Sequence, residues 1–277
     1  MEKLWVCCLL AIGLQWAAIQ GQDLNQTVDL GKLAKVISPI GSIHGRVIGG
    51  HLTTIEKLGG YLIALRYDNE FICGGALIHD LIVLTAAHCF IGRDDINWWL
   101  AEGGLTKLTD KGERRKVKKY IKAGSFRQED MNMDVAVVLL QKPMTGKKIG
   151  KLSLCSKNLK AGTKLTVSGW GLTELTQAKP VKELRTVTVP LINKKKCRRA
   201  YRTSTNITGS MFCASVLGKQ DACTFDSGGP LVYEKEVCGI VSFGIGCASS
   251  RYPGVYTDVI YVKKFVEKSM KILLDKK

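Results

Sequence analysis

From Val47 onward the chain returns repeatedly to short runs of β-branched and aromatic residues separated by glycine, and that rhythm limits the fold more than any other feature. The runs at residues 61–67, 71–78, 82–85, 117–121 and 135–140, then at 164–170, 185–191, 237–243 and 255–258, are bounded by turn residues. Many short strands in series predict an all-β sandwich or barrel. Only the end breaks the rhythm. Val262, Phe265, Val266, Met270 and Leu273 recur at helical spacing between lysines, which predicts one amphipathic helix over residues 261–274. A length of 277 residues allows one large domain or two small ones, and 45% hydrophobic content suffices for a buried core, which excludes disorder for most of the chain.

Ten cysteines without a pair of CxxC motifs argue against a zinc site and for disulfides in an oxidising compartment. The first residues agree. Met1-Glu2-Lys3 is a short charged start, Leu4 to Ala18 is apolar apart from Gln15, and small residues follow at Ala17, Ala18 and Gly21, so residues 1–21 are expected to be a secretory signal peptide. That run is too short to span a bilayer, and no other stretch is long enough, so no membrane is expected as a partner. Cleavage near Gly21 removes Cys7 and Cys8 from the ten and leaves an even eight. Residues 22–46 carry Asp23, Asn25, Asp29, Lys32, Lys35 and a Pro39-Ile40-Gly41 break without sustained period, and read as a pro-segment or linker. The net charge is +17 at an ordinary 23% charged content, which excludes histone-like and collagen-like compositions, and no nucleic acid is expected as a partner.

Three local signatures occur in one order: Thr85-Ala86-Ala87-His88-Cys89, Asn132-Met133-Asp134-Val135-Ala136-Val137 and Asp226-Ser227-Gly228-Gly229-Pro230. From Arg46 to its end the chain resembles the trypsin/chymotrypsin family of secreted serine proteases, and the order His, Asp, Ser sets that family apart from subtilisins and α/β-hydrolases. The resemblance implies two six-stranded antiparallel β-barrels, over about residues 47–150 and 151–258, in a protease domain of residues 47–277 that ends in the helix. The chemistry needs each residue type. A serine hydroxyl is a poor nucleophile at neutral pH, so Ser227 requires a base that takes its proton and later returns it to the leaving amine, a role His88 fits. A buried carboxylate, Asp134, then holds the imidazole in one tautomer and stabilises the imidazolium.

Arg46-Val47-Ile48-Gly49-Gly50 resembles the family's zymogen junction. Cleavage after Arg46 would free an ammonium on Val47, and burying it against Asp226 would order the loops around Ser227. Asp221 lies where the family places the carboxylate at the floor of the S1 pocket, and it implies substrates with Arg or Lys. Gly244 and Gly254 match the pocket walls, and Ser242-Phe243-Gly244 matches the backbone edge that pairs with an extended substrate. Phe243 replaces the usual tryptophan. Ala222 stands where many relatives have serine, which favours Arg over Lys because the Arg fork can reach Asp221 bidentately.

One departure is Phe225, where the family pattern has glycine. This residue and Ser227 supply the backbone N–H groups of the oxyanion hole, so a conformation natural to glycine but not to Phe would misdirect one donor. The alternative to an active protease is therefore a catalytically silent homologue that binds partners through its protease-like surface. Resemblance also implies the bridges Cys73–Cys89, Cys197–Cys213 and Cys223–Cys247. Cys155 and Cys238 are left over, away from the positions of the common remaining pair; they either join each other or stay free. Gly104 and Gly112 stand where calcium-binding relatives carry carboxylates, so neither calcium nor any other metal or cofactor is expected. Arg114, Arg115, Lys116, Lys118, Lys119 and Lys122 form one basic run, and Lys194, Lys195, Lys196, Arg198 and Arg199 another; each reads as a solvated face or as an exosite for acidic partners. Asn25-Gln26-Thr27 and Asn206-Ile207-Thr208 are glycosylation sequons. The expected partners are protein or peptide substrates, an activating trypsin-like protease and protein inhibitors, in an extracellular setting.

Overall fold

Residues 50–171, 182–221, 226–246 and 248–275 are described by the structure, a computed structural model. A first closed barrel contains six antiparallel strands: β2 (Leu62–Tyr67), β3 (Glu70–His79), β4 (Ile82–Thr85), β5 (Trp99–Gly103), β6 (Glu113–Lys122) and β7 (Ala136–Leu140), paired in the order β2-β3-β4-β7-β6-β5. Closure by β2 against β5, with Ile63 opposite Gly103 and Tyr67 opposite Trp99, leaves no edge exposed. Every residue of β4 and β7 is buried, and Thr85 is the one polar residue among them. β6 turns mostly toward water instead, and Val117 is its one buried residue.

The second barrel is built in the same way from β9 (Lys164–Gly169), β10 (Arg185–Ile192), β11 (Met211–Ala214), β12 (Pro230–Tyr233), β13 (Glu236–Phe243) and β14 (Val255–Asp258). Its ring runs β9-β10-β11-β14-β13-β12 and closes through Leu231 of β12 opposite Val167 of β9. Two short strands are added outside this ring. β1 (His51–Leu52) pairs with β10 although it precedes the first barrel in sequence, and β8 (Ser153–Leu154) runs parallel to β13. Two closed six-stranded antiparallel barrels with a terminal helix make this the chymotrypsin fold.

Helices occupy the outside. After the single turn α1 (Ile55–Leu58) comes α2 (Lys194–Tyr201), which the sequence reading treats only as a basic run. The Asn193 side chain accepts from Lys195 N–H at 2.9 Å as its cap, and Cys197 and Tyr201, four apart, are its buried face. α3 (Val259–Asp275) begins two residues before the predicted start because Asp258 Oδ1 accepts from the N–H groups of Ile260 and Tyr261 at 3.0 and 3.3 Å. Val259, Val262, Val266, Ser269 and Leu273 form the buried stripe. No helix among the described residues is long and apolar enough to cross a membrane.

Three disulfides lie within the described residues, Cys73–Cys89, Cys197–Cys213 and Cys155–Cys238. The last resolves the two leftover cysteines as a bridge that ties the segment after β8 to β13, where Cys155 N–H also donates to the Val237 carbonyl at 3.1 Å. Cys223 and Cys247 lie outside the described residues.

Candidate active site

His88 sits in a 3-10 turn, Ala87–Phe90, directly after β4, and the Cys73–Cys89 bridge ties that turn to β3. Asp134 lies just before β7, which pairs with β4, so adjacent strands bring the two residues together. The carboxylate is fully buried, at 0% exposure. Oδ1 accepts from the backbone N–H of His88 at 2.9 Å; Oδ2 meets His88 Nδ1 at 2.7 Å and accepts from Ser242 Oγ at 2.5 Å. With a backbone N–H and a hydroxyl already donating to this carboxylate, the ring hydrogen is placed on Nδ1, facing Oδ2, which leaves the Nε2 lone pair available.

Two second-barrel side chains thus complete a first-barrel pair. Ser242 reads from sequence as part of the substrate edge, whereas its buried hydroxyl is committed to Asp134. Thr257, which no sequence signal singles out, donates from Oγ1 to the Asp134 carbonyl at 2.8 Å.

Ser227 occupies a tight turn stitched to both barrels. Its carbonyl accepts from Gly74 N–H of β3 at 2.8 Å, and the next residue, Gly228, donates to the Val241 carbonyl of β13 at 2.8 Å. Gly228 has φ of 75°, and a Cβ there would run into Thr85 and Cys89, so the turn requires glycine and rests against the neighbour of His88. Asp226, 2% exposed, accepts from Gly171 N–H at 2.8 Å.

Asp221 is 1% exposed and lies against Gly254, where a Cβ would collide with its carboxylate. At Gly244, by contrast, a Cβ would meet nothing closer than 3.6 Å among the described residues, so none of these closes that side to a long side chain. Tyr201 closes the neighbourhood: its hydroxyl donates to the Pro253 carbonyl at 2.6 Å, and its ring meets Phe243 edge-on at 5.8 Å. Burial pushes that phenol above its ordinary range, and the nearby Asp221 charge adds to the shift. Arg46, Val47, Ala222, Phe225 and Asn25 lie outside the described residues; Asn206 is exposed.

Two groupings of metal-ligating side chains occur among the described residues, and neither offers a thiolate. The groupings Cys73–His88–Cys89 and Cys155–Glu236–Cys238 each contain two sulfurs already joined in a disulfide, which cannot serve as thiolates. Near Gly104 and Gly112 the prominent ion is a buried carboxylate, Glu102. Arg66 Nε donates to it at 2.8 Å and Arg114 Nε at 2.7 Å, a clamp that sequence reading misses because the two arginines are 36 and 12 residues away. Arg115 of the same basic run is committed to Glu113 and to the Pro143 carbonyl, while Lys116, Lys118 and Lys119 are exposed.

The trypsin family model matches residues 47–266. The chain is 62% identical over 252 residues to Seminase of Drosophila melanogaster, covering 91% of each protein. It is 35% identical to a vitellin-degrading protease of Bombyx mori over 84% of this chain and 88% of that one, and 34% identical to a trypsin of Phaedon cochleariae over 82% and 89%. With the fold, the His88–Asp134 pair and these matches together, the chain belongs to the trypsin family of serine endopeptidases, hydrolases that act on proteins.

Proposed function

We propose that the protein is exported as a zymogen, cut after Arg46, and that the mature enzyme hydrolyses peptide bonds after Arg and, less readily, Lys. The observation that carries the catalytic part is the fully buried Asp134 with His88 Nδ1 at 2.7 Å. In this reading Ser227 Oγ attacks the scissile carbonyl while Nε2 of His88 takes its proton; the backbone N–H groups of Phe225 and Ser227 stabilise the oxyanion. The imidazolium, balanced by Asp134, returns the proton to the leaving amine, and water repeats the sequence on the acyl-enzyme.

Asp221 supports the specificity. A carboxylate beneath a wall of glycines is complementary to a long cation, and a buried charge rejects a neutral aromatic side chain strongly. Asp221→Ser should abolish the preference for Arg over Phe amide substrates, measured as kcat/KM on matched peptides. Equal rates on Arg and Phe peptides with the unaltered enzyme would contradict the assignment.

The zymogen reading rests on Arg46-Val47-Ile48-Gly49-Gly50 and on the buried Asp226. Arg46→Gln should leave the protein uncut and inactive on incubation with a trypsin-like activator, whereas Asp226→Asn should be cut and gain little activity. Full activity in uncut protein would overturn it. Residues 1–21 as signal peptide, residues 22–46 as pro-segment and the sequons at Asn25 and Asn206 belong to the same proposal, that of a glycosylated extracellular protease.

A further inference from the structure

Met131-Asn132-Met133 leads directly into Asp134, and its backbone is not relaxed. Met131 and Met133 have φ of 57° and 56°, a left-handed conformation that side chains other than glycine or asparagine rarely adopt. Such residues persist where their surroundings over-determine them. Here the surroundings come from the other barrel. Asn132 Oδ1 accepts from Thr208 Oγ1 at 2.8 Å and from Ser210 Oγ at 3.0 Å, and Ser210 Oγ accepts from Met133 N–H at 3.1 Å. The two hydroxyl oxygens stand 2.9 Å apart. Asn132 Oδ1 is the one oxygen of the three without a proton, so both hydroxyl hydrogens are drawn to it. Ser210 is buried, and the Met131 side chain packs on the second-barrel cluster of Cys197, Tyr201 and Ile207.

We infer that Asn132, Thr208 and Ser210 form an inter-barrel latch whose task is to aim Asp134 at His88, which makes them positioning residues of the reaction. The inference rests on Asp134 as the catalytic carboxylate. Thr257 grips the Asp134 carbonyl and the latch grips the two residues before it, so the carboxylate is fixed on both sides by the barrel that carries Ser227. Thr208 has a second identity as the last residue of the Asn206-Ile207-Thr208 sequon, and the two roles can be separated. Asn206→Gln removes the sequon and none of the three oxygens; Thr208→Val removes both; Thr208→Ser keeps both.

The test is steady-state kinetics on a single-residue Arg amide, normalised to sites titrated with a serine-directed irreversible inhibitor. Asn132→Ala and Thr208→Val should lower kcat per titrated site by roughly 10- to 100-fold with little change in KM, because a displacement of about 1 Å in a catalytic group costs on that order. Asn206→Gln and Thr208→Ser should match the parent. Unchanged kcat in Asn132→Ala and Thr208→Val would overturn the latch, as would a loss explained wholly by fewer titratable sites. If Asp134→Asn kept the parental kcat, the catalytic reading itself would fall; Asp134→Asn inactive beside an unaffected Asn132→Ala would overturn the latch alone.

Discussion

Asp134→Asn should lower kcat by about 10⁴-fold while leaving the fold intact, the loss that a wrong imidazole tautomer costs in a Ser-His-Asp triad. The hydrogen bonds dictate how the amide must sit. The backbone N–H of His88 points at Oδ1, so the amide oxygen is pinned there and the NH₂ group takes the place of Oδ2. It then faces His88 Nδ1, now 2.7 Å from a donor instead of an acceptor. The imidazole hydrogen is forced to Nε2, the nitrogen that receives the Ser227 proton in the proposed mechanism. Ser242, whose hydroxyl donates to Oδ2, must turn round to accept. Kinetics on Arg amides together with an unchanged thermal midpoint would bear this out; a loss below about tenfold would mean that Asp134 is not holding the tautomer.

Glu102→Ala should be the most damaging change to stability away from the active site, about 3–5 kcal/mol. Glu102 is fully buried, and the Arg66 side chain that it pairs with is only 10% exposed, so truncation strands a buried guanidinium. Carbonyl contacts to Asn69 at 3.2 Å and Leu108 at 2.7 Å solvate that group but do not neutralise it. For a domain of this size the thermal midpoint should fall by roughly 10 °C. Arg114→Ala should do much less, because its side chain is 54% exposed and water replaces its partner. Lys157→Ala, at an exposed pair with Glu234, should not move the midpoint measurably. Equal shifts for all three variants would show that burial does not set the cost.

The same residues explain what was legible in the sequence. His88, Asp134 and Ser227 sit in local signatures whose neighbours are themselves demanded by geometry: Cys89 ties the histidine turn to β3, and Gly228 alone fits between Thr85 and Cys89. Strands β4 and β14 match their predicted runs because β-branched and aromatic residues open both, with all of β4 and the first three residues of β14 buried. β5 is missed: Leu100-Ala101-Glu102-Gly103 looks interrupted by charge until Arg66 and Arg114 are found in space. α2 is missed because lysines and arginines hide a helical period carried only by Cys197 and Tyr201. β11 is missed because Met211-Phe212-Cys213-Ala214 holds no β-branched residue, and β12 because it opens on Pro230. Interactions between elements distant in the chain have no local signature at all, and Asn132 with Thr208, 76 residues apart, or Thr257 with Asp134, 123 apart, emerge only from the fold.

In the proposed mechanism activation and catalysis converge on Ser227, so the decisive measurement is chemical. Protein cut after Arg46 is treated with a fluorophosphonate, digested, and mapped by mass spectrometry, with Ser227→Ala in parallel. The account predicts one adduct per molecule, on Ser227, with complete loss of amidase activity, and no adduct on the uncut chain or on Ser227→Ala. Cut protein that stays unlabelled would contradict it and favour the silent homologue suggested by Phe225, and a label on another residue with amidase activity retained by Ser227→Ala would contradict the triad itself.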